Sequence, residues 1–324
     1  MQRILSRGEI ESLDHTAIAR VRLPQPGAVF QDRANRLRQL AAGHPLLGYL
    51  ELMARVADAQ HALRDSLTPP GASPEQIERA QAYGLPTMQA TAWPRDPRWR
   101  DVLDALLEHL LADPALPAEA AETCHRLRAL AEQDPAALER LADVLTAESD
   151  VGVDALAAPF VMAALQVYWT ALASRFDAAQ LPVTSPPEVC PVCASAPVAS
   201  IVRVGGQYDG YRYLCCPLCA TEWHRVRVTC SHCGDNEKIV YHSVESRDAP
   251  PTDDARETRD RAGAVRAESC DHCGTYRKIF YQEKDLYVDP VADDLASLAL
   301  DILMGEAGYQ RASGNPLLWH GEEV

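Results

Sequence analysis

The sequence predicts an α+β protein: an N-terminal all-α helical part, a β-rich module with two four-cysteine sites, and a C-terminal helix. Three observations predict it. Apolar residues recur at the three-and-four helical spacing through the first 180 positions. Nine of the ten cysteines lie between Cys190 and Cys273. Between those cysteines run short stretches of branched and aromatic residues separated by turns. The expected units are residues 1–183, 184–290 and 291–324.

The clearest helix is predicted over 97–112. Trp99, Val102, Leu103, Leu106, Leu107, Leu110 and Leu111 line one face there, opposite Arg100, Asp101, Asp104 and Glu108. The same periodicity predicts helix across 30–67, broken at His44-Pro45, and over 114–133 and 135–148. LTPPGASP at 67–74 and WPRDP at 93–97 read as joints, because proline lacks a donor and pushes its predecessor out of the helical region. An antiparallel bundle is the expected packing. The most apolar window, 155–173, approaches the roughly 20 residues that span a bilayer. Pro159 and Gln166 interrupt it and no basic flank anchors it, so a buried central helix without membrane insertion is expected. Pro182, Pro186 and Pro187 make 178–189 a stiff connector, where the first border is placed.

Beyond it, strands are expected in 198–204, 211–214 and 222–228, with GGQYDG at 205–210 as a hairpin turn. Residues 247–263 have almost no apolar content and read as a surface excursion. A last helix is expected from 291 to about 304, with Gly305 as its stop.

A chain of 324 residues suits two domains. Its 31 Lys and Arg against 46 Asp and Glu leave a net charge of −15, distributed as −7, −3 and −5 over the three units. No unit carries a basic excess, so nucleic acid is not an expected partner. The opening MQRILSRGEIESLDH lacks an apolar export region, which points to cytoplasmic thiols used for metal binding rather than disulfides.

Those thiols form four C-x-x-C pairs: Cys190 with Cys193, Cys216 with Cys219, Cys230 with Cys233, and Cys270 with Cys273. Two residues three apart in a knuckle turn aim both sulfurs at one centre, and two knuckles close a tetrahedron. Eight thiols therefore suit two metal sites. Ala194, Ala220, Gly234 and Gly274 follow the pairs and leave room for the turn. CSHCGDNEKIVY at 230–241 repeats CDHCGTYRKIFY at 270–281, and CPVCAS resembles CPLCAT. Sequential grouping is the simplest arrangement; an interleaved one satisfies the same spacing. The ligand set suits zinc or iron, as a closed structural pin or a redox site.

Other residues carry weaker signals. Cys215 is out of register with Cys219 and reads as a spare thiol, and Cys124 as a small buried residue of a helix. His232 and His272 sit inside knuckles already complete in cysteine and are assigned no metal. Glu222, Trp223 and His224, beside a knuckle, are candidates for a partner-contact edge, with ordinary strand packing as the alternative. The sequence contains no G-x-S-x-G, Walker loop, G-x-G-x-x-G after a strand or H-E-x-x-H, so no catalytic residue is assigned and a non-enzyme is expected.

Three segments carry a closer likeness: YLCCPLCATEWHRVRVTCSHC (213–233), AESCDHCGTYRKIFYQEKD (267–285) and VADDLASLALDILMGEAGY (291–309). With RANRLRQLAAGHPLLGYL, APFVMAALQVYW and the closing NPLL, they resemble the FdhE family of formate dehydrogenase accessory proteins over most of the chain. Two departures are Ala194, where glycine is more usual, and the length of 247–263. The resemblance implies a cytoplasmic maturation factor that contacts the catalytic subunit of formate dehydrogenase before export. It also implies two rubredoxin-like iron ions held by the eight paired cysteines, with zinc as the alternative.

Overall fold

The computed structural model describes residues 18–244 and 263–319. The excursion expected over 247–263 lies outside the described residues except for its last position. The chain opens with a two-residue strand, β1 (Val21–Arg22), followed by seven helices: α1 (Pro26–Ala41), α2 (Leu47–Leu63), α3 (Pro74–Tyr83), α4 (Trp99–Leu111), α5 (Ala118–Gln133), α6 (Pro135–Thr146) and α7 (Ala158–Ala173). Proline occupies the first turn of α1, α3, α6 and α7, where a missing donor costs nothing. The joint predicted at 67–74 gives way to α3, a helix the apolar pattern did not reveal. It starts in a capping box: Ser73 Oγ accepts from Gln76 N while the Gln76 side chain accepts from Ser73 N.

Helix α7 is apolar all round because it is enclosed by α2, α4 and α6, and all of it except Ala171 is buried. No helix among the described residues is long and apolar enough to cross a membrane.

The second half forms β2 (Ala199–Val202), β3 (Arg212–Cys215), β4 (Glu222–His224), β5 (Ile239–His242), β6 (Val265–Cys270), β7 (Thr275–Tyr281), α8 (Ala292–Leu295), α9 (Leu298–Glu306) and β8 (Gln310–Arg311). The predicted single C-terminal helix is two. Ser297 Oγ donates to the carbonyls of Asp293 and Asp294 at the break. Gly305 does not stop α9, which runs one residue past it; Gly308, at φ +86°, follows the end.

One eight-stranded sheet has the order β1-β4-β3-β2-β7-β6-β5, with β8 also pairing β7. It contains the same unit twice: knuckle, strand, strand, knuckle, strand. β2, β3 and β4 are antiparallel, as are β5, β6 and β7, and the units join where β2 runs parallel to β7, with Ile201 opposite Phe280. The hairpin turn expected at 205–210 joins β2 to β3. A buried ion pair also spans the junction: Arg212 Nη2 on β3 lies 2.7 Å from Glu268 Oε1 on β6. The principal core is continuous across the expected border at 183. Trp99, Leu107, Phe160 and Trp169 share it with Val192, Val198, Ile201, Tyr213 and Leu218.

Candidate metal centres

Each knuckle turns back on itself by the same means. The residue after the second cysteine has positive φ: +68° at Ala194, +56° at Ala220, +79° at Gly234 and +70° at Gly274. In three knuckles its amide donates to the carbonyl of the first cysteine, at 3.0 Å for Ala194, 3.2 Å for Gly234 and 2.9 Å for Gly274. A hydroxyl follows in three as well. Ser195 Oγ lies 3.3 Å from Cys193 Sγ, Thr221 Oγ1 3.1 Å from Cys219 Sγ, and Thr275 Oγ1 3.1 Å from Cys273 Sγ. Backbone amides also point at sulfur: Cys219 N donates to Cys216 Sγ, and His232 N and Cys233 N to Cys230 Sγ. Such donors stabilise thiolate charge.

The sulfurs group sequentially. Cys190, Cys193, Cys216 and Cys219 form one four and Cys230, Cys233, Cys270 and Cys273 another, each with its ligand atoms within 4.8 Å of one another. Tetrahedral bonds of about 2.3 Å from one ion place sulfurs ~3.8 Å apart. The closest separations here are 3.3 Å for Cys193–Cys216, 3.6 Å for both Cys190–Cys219 and Cys193–Cys219, and 3.8 Å for both Cys230–Cys273 and Cys233–Cys270. All eight are free thiols, and a disulfide requires about 2.05 Å. Both fours fit a tetrahedral ion.

The first four is assembled partly by the helical half. Thr87 N, Met88 N and Ala90 N donate to the carbonyls of Pro191, Val192 and Cys193 at 3.0, 2.7 and 2.9 Å. Ala196 N donates to Glu148 Oε1. Gln166 in α7, 1% exposed, donates from Nε2 to the Pro217 carbonyl at 2.7 Å and accepts from Gln60 Nε2 at 2.8 Å. The backbone contacts from residues 87–90 leave no residue-type signal. Gln166 does leave one, since a lone amide in an apolar helix must find partners.

The second four stands on smaller supports. Beside it a satellite core consists of Ala267, Tyr276, Leu300 and Met304. Arg277 reaches under this centre beside Cys230 and Cys270, and its Nε and Nη1 donate to the hydroxyls of Ser231 and Ser313 at 2.8 and 2.5 Å. Burial, with Arg212 nearby, lowers its pKa to about 10, so it remains cationic at neutral pH. Four thiolates around a divalent ion carry two negative charges, which a buried guanidinium complements. Arg277 lies within β7 between Tyr276 and Lys278, and nothing in that local pattern marks it as a buried charge.

Residues outside the fours are placed plainly. Cys215 is buried, and burial with the nearby Glu222 carboxylate holds its thiol well above the usual range. Cys124 is buried in α5. His232 and His272 are exposed and belong to neither four. The strand of Glu222, Trp223 and His224 is no open edge, because β1 covers one side and β3 the other. Glu222 is bound by Arg22 and Arg203, Trp223 Nε1 donates to the Pro187 carbonyl, and His224 packs edge-on against Tyr211 and Tyr213. A cleft of about 600 Å³ lies between α1, β1 and residues 286–291. Its guanidiniums are already paired, Arg33 with Asp289, Arg36 with Asp293 and Arg203 with Glu222.

Comparison with known proteins gives a consistent result. The family models described as FdhE N-terminal, FdhE central domain and FdhE C-terminal domain match residues 18–185, 189–227 and 228–318. The chain is 42% identical over 307 residues to the Protein FdhE homolog of Edwardsiella ictaluri, covering 94% of this chain and 93% of that one. It is 39% identical over 306 residues to Protein FdhE of Salmonella enteritidis, covering 92% and 91%. The crystal structure of the FdhE protein from Pseudomonas aeruginosa superposes with a TM-score of 0.79 at 36% identity, over 93% of this chain and 99% of that one.

Proposed function

This chain belongs to the FdhE family, and from that membership we propose that it is a formate dehydrogenase accessory protein. It acts as a non-catalytic cytoplasmic maturation factor that binds the immature catalytic subunit of respiratory formate dehydrogenase and carries two mononuclear four-cysteine iron sites. The observation that carries the reading is the sulfur geometry: eight thiols in two tetrahedral fours, built into a sheet whose core is continuous with the helical half. Residues 1–183 are the helical scaffold, 184–290 the double metal module, and 291–324 the C-terminal helical segment and tail.

Cys190, Cys193, Cys216 and Cys219 hold one ion and Cys230, Cys233, Cys270 and Cys273 the other. Bound iron supplies a one-electron couple, and either iron or zinc supplies a cross-link between knuckles. The protein's own groups hold the thiolates: the hydroxyls of Ser195, Thr221 and Thr275, the amides pointing at sulfur, and the Arg277 charge. The non-catalytic assignment is supported by the saturation of both fours with sulfur and by the pairing of the cleft's guanidiniums.

Two measurements test the reading. The full chain should co-purify with the catalytic subunit, and disruption of the knuckles should weaken that capture; capture unchanged after loss of all eight thiols would remove metal from recognition. Anaerobic purification should yield two irons per chain with thiolate-to-ferric absorption that bleaches on reduction. A colourless protein with two zincs would overturn the iron assignment.

A further inference from the structure

The two fours differ in what surrounds them. Cys190, Cys193 and Cys219 are fully buried and Cys216 is 3% exposed. Their knuckles are clasped by residues 87–90, by Glu148 and by Gln166, and their cysteines belong to the principal core. In the second four Cys230 and Cys270 are buried, but Cys233 is exposed and Cys273 half-buried. The Cys230–Cys233 knuckle leads into β5, the terminal strand of the sheet among the described residues, where Val240 is 41% exposed. Cys233 and Gly234 are both exposed, as are His232 and, on the facing knuckle, His272.

We propose that the second four is the exchanging centre of this protein, where a soft donor from a partner, a thiolate or an imidazole, reaches the ion through Cys233, while the first four is a locked pin. The inference rests on the reading that each four holds an ion. Ligand exchange at a sulfur site requires an incoming donor to approach while one metal–sulfur bond lengthens, so rate follows access and the cost of local opening. Opening the first centre exposes core and breaks the clasp from three separate helical-half segments. Opening the second requires one terminal knuckle to swing outward over a satellite core of four residues. In the exchange step one bond forms between the ion and the incoming donor as the bond to Cys233 breaks. The ion keeps its oxidation state, and the released Cys233 thiolate takes a proton from water. Arg277 stays beneath Cys230 and Cys270, so the buried half of the centre keeps its counter-charge throughout.

The test uses the full chain loaded with two zinc ions, which have no redox chemistry. Release to 4-(2-pyridylazo)resorcinol is followed by colour, with N-ethylmaleimide pulses and peptide mass spectrometry to identify the freed thiols. Two phases of equal amplitude are expected, separated by about tenfold or more in rate, the labelling starting at Cys233 and reaching Cys230, Cys270 and Cys273 before any thiol of the first four. In Cys233→Ser the fast phase should be lost or accelerated beyond capture while the slow ion remains. A single rate for both ions, or labelling of Cys190, Cys193, Cys216 or Cys219 first, overturns the inference while leaving two bound ions intact. Fewer than two bound zincs overturns the two-centre reading itself, and the inference with it.

Discussion

Replacing Gln166 with leucine tests whether the helical half sustains the first metal centre. The side chain is 1% exposed and comparable in size to leucine, so the change removes polarity with only a modest change of volume. Two hydrogen bonds disappear: Gln166 Nε2 to the Pro217 carbonyl at 2.7 Å and Gln60 Nε2 to Gln166 Oε1 at 2.8 Å. The amide orientation is dictated by chemistry, since Pro217 offers only an acceptor. Each buried partner left unsatisfied costs about 1–3 kcal/mol. Gln60 keeps its second bond, to the Ala163 carbonyl at 2.9 Å, so the cost falls mainly on Pro217. Added apolar burial returns about 1 kcal/mol. The net loss is about 1–2 kcal/mol, and at about 2–4 °C per kcal/mol the melting temperature should fall by roughly 2–8 °C. Scanning calorimetry of the two-zinc protein measures it, and chelator release from the first centre should accelerate while the second is unchanged. A melting temperature within 1 °C of wild type, or acceleration confined to the second centre, would refute the reasoning.

Arg277→Met should weaken zinc binding at the second centre by about tenfold and leave the first unchanged, with Arg277→Lys retaining most of the affinity; competition titration resolves the two, and equal affinities in all three proteins would exclude a counter-charge role. Ala194→Gly removes a side chain from φ +68° and should stabilise by about 0.5–1 kcal/mol, a higher melting temperature being the readout and a lower one the contrary result. Burial pushes the Cys124 thiol up from 9.0 to about 11. Between those values the folded chain keeps a proton that the unfolded chain has lost, so the stability associated with this thiol falls as pH rises through that window. The advantage of wild type over Cys124→Ala in urea unfolding should therefore shrink from pH 9 to 11, and a pH-independent gap would contradict it.

Much was legible in the residues because its causes are local. The 97–112 stripe turns inward as α4, and the knuckles are written in three-residue spacing followed by Ala or Gly. The grouping of thiols needed more, since spacing alone also satisfies an interleaved arrangement. Helix α3 was masked by its flanking prolines, although Ser73 and Gln76 form a readable cap. The C-terminal helix divides at Ser297 because a side chain competes there for backbone carbonyls.

The sequence by itself determined the helical half, the repeated knuckle-and-strand unit and the eight sulfurs that the metal reading depends on, because periodicity and turn chemistry act over a few residues. Tertiary structure alone decided that β1 from the start of the chain covers β4, that β2 runs beside β7, and that Gln166 holds one knuckle while Arg277 underlies another. It also decided that one four is sealed and the other open. These depend on which distant segments meet, and burial is a property of that meeting: identical C-x-x-C pairs become a locked pin or an accessible centre according to what packs against them.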